Sequence, residues 1–168
     1  MKTLSLTTLD EKEYKIEGYP SIECNLICNI LVDKEYYCKL LVCPDLPKAM
    51  GMGATINLQT NENIVLANDE FFELLTQKEI LQIIAHEIGH IELNHAREMN
   101  EKRMSKQRLL EIELEADKYA CDNFYTAPTL ELYNKTILPL LAFTGDINIK
   151  VKRRIMFHFE ARKRALDK

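Results

Sequence analysis

The sequence predicts an α+β domain, with strands crowded into its first third and helices filling the remainder. Two observations carry this prediction. Short apolar runs bounded by turn residues dominate up to about residue 66. Beyond residue 76 the apolar residues recur at helical spacing, with a capping signal at the start. Strands followed by helices, rather than alternating with them, indicate a sheet and a helical half in one α+β unit.

The elements follow in order. Ile22 to Val32 and Glu35 to Val42 are apolar runs, and Asp33-Lys34 between them is a turn. Pro44 and Pro47 close this region, and Gly51 and Gly53 lead into a further strand over Ala54 to Leu58. Thr60-Asn61-Glu62-Asn63 reads as a turn before the short strand Ile64 to Leu66. Thr76 followed by Glu79 forms a capping-box pattern, so a helix is expected from there through about Arg97. Asn100 to Arg108 is charged and poorly patterned, which predicts a loop or frayed connection. A second helix covers about Leu109 to Phe124, and Pro128 opens a third that Pro139 limits or kinks. After a break at Thr144-Gly145-Asp146, a basic amphipathic helix runs from about Ile149 to Leu166. It is expected to pack on the domain with its cationic face in solvent.

The bulk numbers exclude several classes. The 168 residues fit one domain, residues 1–168, large enough to bury a core. Hydrophobic residues at 46% and charged residues at 29% describe an ordinary soluble protein. A formal net charge of −4 gives no electrostatic reason to expect nucleic acid. No apolar run approaches the roughly 20 residues of a membrane span. The first eighteen residues lack the apolar core of a signal peptide, so a cytoplasmic location is expected. The five cysteines, Cys24, Cys28, Cys38, Cys43 and Cys121, are an odd set that reads as reduced thiols. The first four raise the question of a zinc knuckle, but they sit in strand-like sequence without C-x2-C spacing. They read instead as small apolar core residues.

The chemistry lies in His86-Glu87-Ile88-Gly89-His90, which fits H-E-x-x-H. On a helix, positions i and i+4 lie one turn apart on one side, so the two imidazoles can grip one ion. Glu87 then stands close to the ion without being its ligand, where a base for an activated water belongs. At about 100° per residue, Ile80, Ile84, Ile88 and Ile91 form an apolar stripe. The two histidines lie along its edge, and Glu87 projects within the same half of the helix. An acid facing a core is costly without a partner or a function.

A catalytic zinc site needs a third protein ligand and an open fourth position. If the helix continues, His95 lies about 140° round from His90 and cannot reach the same ion. It then reads as a satisfied, partly buried histidine. The second helix offers Glu111, Glu113, Glu115 and Asp117. Leu109, Ile112, Ala116, Ala120 and Phe124 form its apolar face, and Glu113 and Asp117 fall inside it. Glu111 and Glu115 fall opposite, with Lys118 and Asp122, on what reads as a solvated face. Glu113 is therefore the expected third zinc ligand, and Asp117 the carboxylate that takes a ligand histidine's other ring N–H. The competing reading is that both acids pair with arginines from elsewhere.

Taken together, H-E-x-x-H and the later E-x-x-x-D resemble the gluzincin metallopeptidases. His86 to His90 with His95 beyond, then Glu113-Leu114-Glu115-Ala116-Asp117, resembles more closely the HtpX-like and CAAX-prenyl-protease-like family, in a soluble minimal form. The resemblance covers roughly residues 52–157. It implies a zincin-like fold, one Zn2+ per chain, and hydrolysis of a peptide or protein substrate. Members often place a histidine and then an arginine after the second metal helix to steady the oxyanion. Arg154 matches the arginine, but Asn148 stands near the histidine's position. His158, Tyr119, Tyr125 and Tyr133 are the remaining candidates for transition-state stabiliser. The ImmA/IrrE-type regulatory metallopeptidases offer a second resemblance, joining H-E-x-x-H to a later glutamate followed by alanine. A zinc-containing module that grips a protein partner without cleaving it is the non-catalytic alternative.

Overall fold

A computed structural model describes residues 4–8, 10–19, 26–46 and 51–124, together with 129, 131, 132, 135, 160–162, 164 and 165. Six strands come first: β1 (Leu4–Thr7), β2 (Glu13–Tyr19), β3 (Leu26–Val32), β4 (Glu35–Cys43), β5 (Met52–Asn57) and β6 (Glu62–Asn68). Through residue 124 the helices are α1 (Asp69–Glu73), α2 (Gln77–Glu92), α3 (His95–Glu101) and α4 (Lys106–Asn123). The fold is α+β, as expected.

The strands form one sheet in the order β1-β2-β3-β4-β6-β5. β1 to β4 make an antiparallel meander, β6 joins β4 in parallel, and β5 pairs antiparallel to β6 at the edge. The β3–β4 hairpin turns at Asp33 and Lys34, both with positive φ, the requirement of a two-residue type I′ turn. At the β5–β6 turn Asn57 Oδ1 accepts from the Gln59 and Thr60 amides, and Asn61 takes a left-handed conformation. The turn therefore lies one to two residues earlier than expected, and β6 begins at Glu62.

One face of the sheet and one face of α2 share the core. Ile30, Cys38, Leu40 and Val65 from the sheet meet Ile80, Ile84 and Ile88 from α2, all buried. Cys28 and Cys38 are thus core residues, while Cys43 is half-buried and Cys121 exposed. Cys24 lies outside the described residues.

The α2 capping box forms as the sequence predicts: Thr76 Oγ1 accepts from the Glu79 amide, and Glu79 Oε2 accepts from the Thr76 amide at 2.7 Å. The far end of this helix needs correction. It stops at Glu92 rather than continuing through Arg97, because Asn94 enters the left-handed region at φ 58°. Asparagine tolerates that conformation better than most residues. The chain turns there and restarts as α3. Only residues 102–105 separate α3 from α4, so the expected Asn100–Arg108 connection is shorter, with Ser105 capping α4 through the Arg108 amide. Of the later helices, Glu131, Leu132 and Lys135 are helical, as are Glu160, Ala161, Arg162, Arg164 and Ala165. The break at 144–146 and most of both expected helices lie outside the described residues. No described helix is long and apolar enough to cross a membrane.

Candidate metal centre

α2 supplies three of the site's side chains because its apolar stripe anchors it on the sheet. His86, Glu87 and His90 are 5%, 4% and 4% exposed, alongside the buried Ile84, Ile88 and Ile91. α4 crosses α2 at Gly89. A Cβ on that residue would lie 2.9 Å from the Ala116 carbonyl oxygen and 3.2 Å from its Cα. Lacking one, Gly89 lets the two backbones approach closely. That approach brings the polar positions of α4's inner face, Glu113 and Asp117, against the two histidines.

The ring Nε2 atoms of His86 and His90 lie 3.0 Å apart. Glu113 Oε2 is 3.5 Å from His86 Nε2, and its Oε1 is 3.7 Å from His90 Nε2. His86, His90 and Glu113 offer ligand atoms all within 4.8 Å of one another, and among the described residues they are the group able to hold a metal ion. The outer ring nitrogens are engaged as well. His86 Nδ1 meets Asp117 Oδ1 at 2.8 Å, and His90 Nδ1 meets His95 Nδ1 at 3.1 Å.

Glu87 Oε2 accepts a 2.7 Å hydrogen bond from the Ala54 amide of β5. Burial pushes the Glu87 carboxyl up, and the Glu113 charge adds to this, against the opposing pull of His86 and the Ala54 N–H. Burial also opposes the charge on Glu113, but its hydrogen bond to His86 and the nearby Arg162 hold it well below the usual carboxylate range. Asp117 is likewise held low, against its burial, by Arg162 and His86. Burial and Arg162 disfavour a proton on His86, yet its bonds to Asp117 and Glu113 prevail and push it up to about 9. His90, desolvated and beside His86, is lowered to about 3. The two α4 acids therefore create a place for positive charge at His86's side of the site.

Arg162 was not among the residues singled out from the sequence. Its Nε and Nη2 donate to the two oxygens of Asp117 at 3.0 and 2.9 Å, and its Nη1 donates to Glu113 Oε2 at 2.8 Å. The arginine foreseen in the competing reading thus exists, but it joins the histidines around these acids instead of replacing them. No local signal marks Arg162 within its basic segment, since its partners lie 45 and 49 residues away. His95 would point away from His90 only on a continuous helix, and the helix is broken between them. The turn at Asn94 folds His95 back onto His90, where it is 1% exposed. Glu115, assigned to the solvated face, is 46% exposed in its side chain yet meets His95 Nε2 at 2.9 Å.

Of the transition-state candidates, Tyr119 packs against the core cluster, its ring 6.3 Å from that of Phe124. Arg154, His158, Tyr125 and Tyr133 lie outside the described residues.

A family model for peptidase U49 matches residues 61–159, more than half of the chain, and spans His86 through Asp117. The chain belongs to the peptidase U49 family. Membership implies a protein or peptide substrate. It does not single out the HtpX-like or the ImmA/IrrE-type group among peptidases. Searches of curated proteins and of solved structures found no match.

Proposed function

We propose that the protein is a zinc-dependent peptidase of gluzincin type, with His86, His90 and Glu113 holding one zinc ion, Glu87 acting as base, and Asp117 orienting His86. The observation that carries this reading is the convergence of His86, His90 and Glu113, with the outer ring nitrogens of both histidines engaged by Asp117 and His95. With zinc–ligand bonds of about 2.0–2.2 Å in tetrahedral geometry, neighbouring donors sit about 3.3–3.6 Å apart. The two Nε2 atoms are 3.0 Å apart, and Glu113 brings one oxygen to 3.5 Å from His86 and the other to 3.7 Å from His90, so one donor atom from each residue lies within 4.8 Å of the others. Two imidazoles and one carboxylate also match the donor set of catalytic zinc sites.

Zinc, when bound, supplies Lewis-acid activation of a water and of the scissile carbonyl. The residues of the chain do the rest. Glu87, raised by burial and oriented from β5 through the Ala54 amide, takes the proton of the attacking water and delivers it to the leaving amine. Asp117 accepts the Nδ1 proton of His86, leaving Nε2 free to donate its lone pair.

β5 is the strand on which an extended substrate pairs. It is an edge strand, and alternate residues face opposite sides. Gly51 O accepts from Asn68 N of β6, whereas Ala54 N turns away to Glu87. By that alternation the main-chain groups of Met52, Ala54 and Ile56 face away from β6, on the side of the base, with the Ala54 N–H donated to Glu87 itself. A peptide adding there by β-augmentation lies against Glu87.

The Glu87→Gln variant tests this reading. It is expected to keep its zinc and its fold while losing at least about a hundredfold in peptide hydrolysis, the usual scale for a removed general base. Undiminished hydrolysis would exclude Glu87 as the base. Wild-type biological activity without hydrolysis in that variant would point to a module that acts by gripping its partner.

A further inference from the structure

The two ligand histidines are supported differently. His86 meets a carboxylate, the common arrangement, whereas His90 meets another imidazole. The supporting imidazole, His95, is the most buried of the three described histidines at 1% exposure. It is followed by a chain of polar contacts leading to the surface. His95 Nε2 lies 2.9 Å from Glu115 Oε2, and Glu115 Oε1 accepts from Arg108 Nη1 at 2.8 Å. Arg108 in turn grips Glu98 with two parallel bonds, Nε to Oε1 at 3.2 Å and Nη2 to Oε2 at 2.9 Å. Glu98 and His95 belong to α3, Arg108 and Glu115 to α4, so the chain also ties these helices together.

The protons along this chain have one consistent arrangement. Two Nδ1 atoms 3.1 Å apart need one proton between them. If His90 keeps the Nε2 lone pair for an ion, its proton is on Nδ1, and His95 Nδ1 must accept it. A neutral His95 then carries its own proton on Nε2, facing a carboxylate oxygen that can only accept. Every donor meets an acceptor. The opposite tautomer of His95 would set two N–H groups against each other and leave its Nε2 lone pair facing the Glu115 carboxylate.

We propose that His95 is a positioning residue for His90, holding it in the tautomer that presents the Nε2 lone pair, and that Glu115, clamped by Arg108, holds His95. The proposal rests on His90 being a metal ligand. It explains why the chain reverses at Asn94: on a continuous helix His95 would point about 140° away from His90.

Two substitutions separate positioning from packing. Glutamine carries one acceptor oxygen and a donor amide, so His95→Gln can accept from His90 and donate to Glu115. His95→Phe fills the space but does neither. Zn2+ affinity of the full chain, measured by competition with a chromophoric chelator, is expected to fall about 10–100-fold in His95→Phe. In His95→Gln it should stay within about threefold of wild type, well inside that range. Equal affinities in wild type and His95→Phe, or equal losses in both variants, would overturn the proposal. A second measurement needs no variant. In the zinc-loaded wild type, 15N shifts of the imidazoles should show His90 protonated at Nδ1 and His95 at Nε2. His95 protonated at Nδ1 alone would contradict it. A wild-type chain that binds no zinc would instead remove the metal reading, and this proposal with it.

Discussion

Glu113 and Asp117 sit four residues apart on α4, and the guanidinium of Arg162 touches both. Their helical spacing was enough to separate them from Glu111 and Glu115, because only these two acids share the direction of Ile112 and Ala116. Arg162 was illegible by the same method. Periodicity reports which way a side chain points on its own helix, not what arrives from 45 residues further along. Its role in stability is nonetheless testable. Asp117's side chain is 8% exposed, so removing the cation strips a buried carboxylate of two hydrogen bonds. Breaking a buried pair on one side costs about 3–5 kcal/mol, and the remaining His86 partner places this case at the lower end. Arg162→Ala is therefore expected to destabilise the metal-free chain by about 3 kcal/mol in urea unfolding. A change below about 0.5 kcal/mol, the level of an ordinary surface substitution, would show that Arg162 does not hold Asp117 in solution.

At the scale of elements, the decisive feature is how closely α2 and α4 pass at Gly89. Alanine in mid-helix is normally better than glycine by about 1 kcal/mol. Here its methyl would meet backbone atoms of Ala116, which cannot swing aside as a side-chain tip can. Overpacking of that kind costs about 1–3 kcal/mol, so strain outweighs propensity. Gly89→Ala should lower the urea midpoint and weaken Zn2+ binding together, since separating the helices withdraws Glu113 from the histidines. A variant more stable than wild type with unchanged zinc affinity would mean the helices do not need this approach. The start of α2 was readable in Thr76 and Glu79 because a capping box is local chemistry. Its end was missed because Asn94 interrupts a run whose composition continues to favour helix. The asparagine was itself the available signal.

On the scale of the whole molecule, the sheet aligns an edge strand with Glu87. The strands β3 to β6 were visible as apolar runs, but β1, β2 and the strand order were not. That β6 lies between β4 and β5, leaving β5 at the edge beside Glu87, depends on pairings that no single strand encodes. The site therefore joins a locally written half, the H-E-x-x-H helix, to a half written in tertiary contacts: Ala54, Arg162 and the returning His95. The central claim is that this assembly is a zinc centre. Elemental analysis of the purified 168-residue chain, with His90→Ala and Glu113→Ala variants in parallel, tests it most directly. One zinc per wild-type chain and a large loss in both variants are expected. Folded wild-type protein that takes up no stoichiometric zinc, even when zinc is supplied, would contradict it.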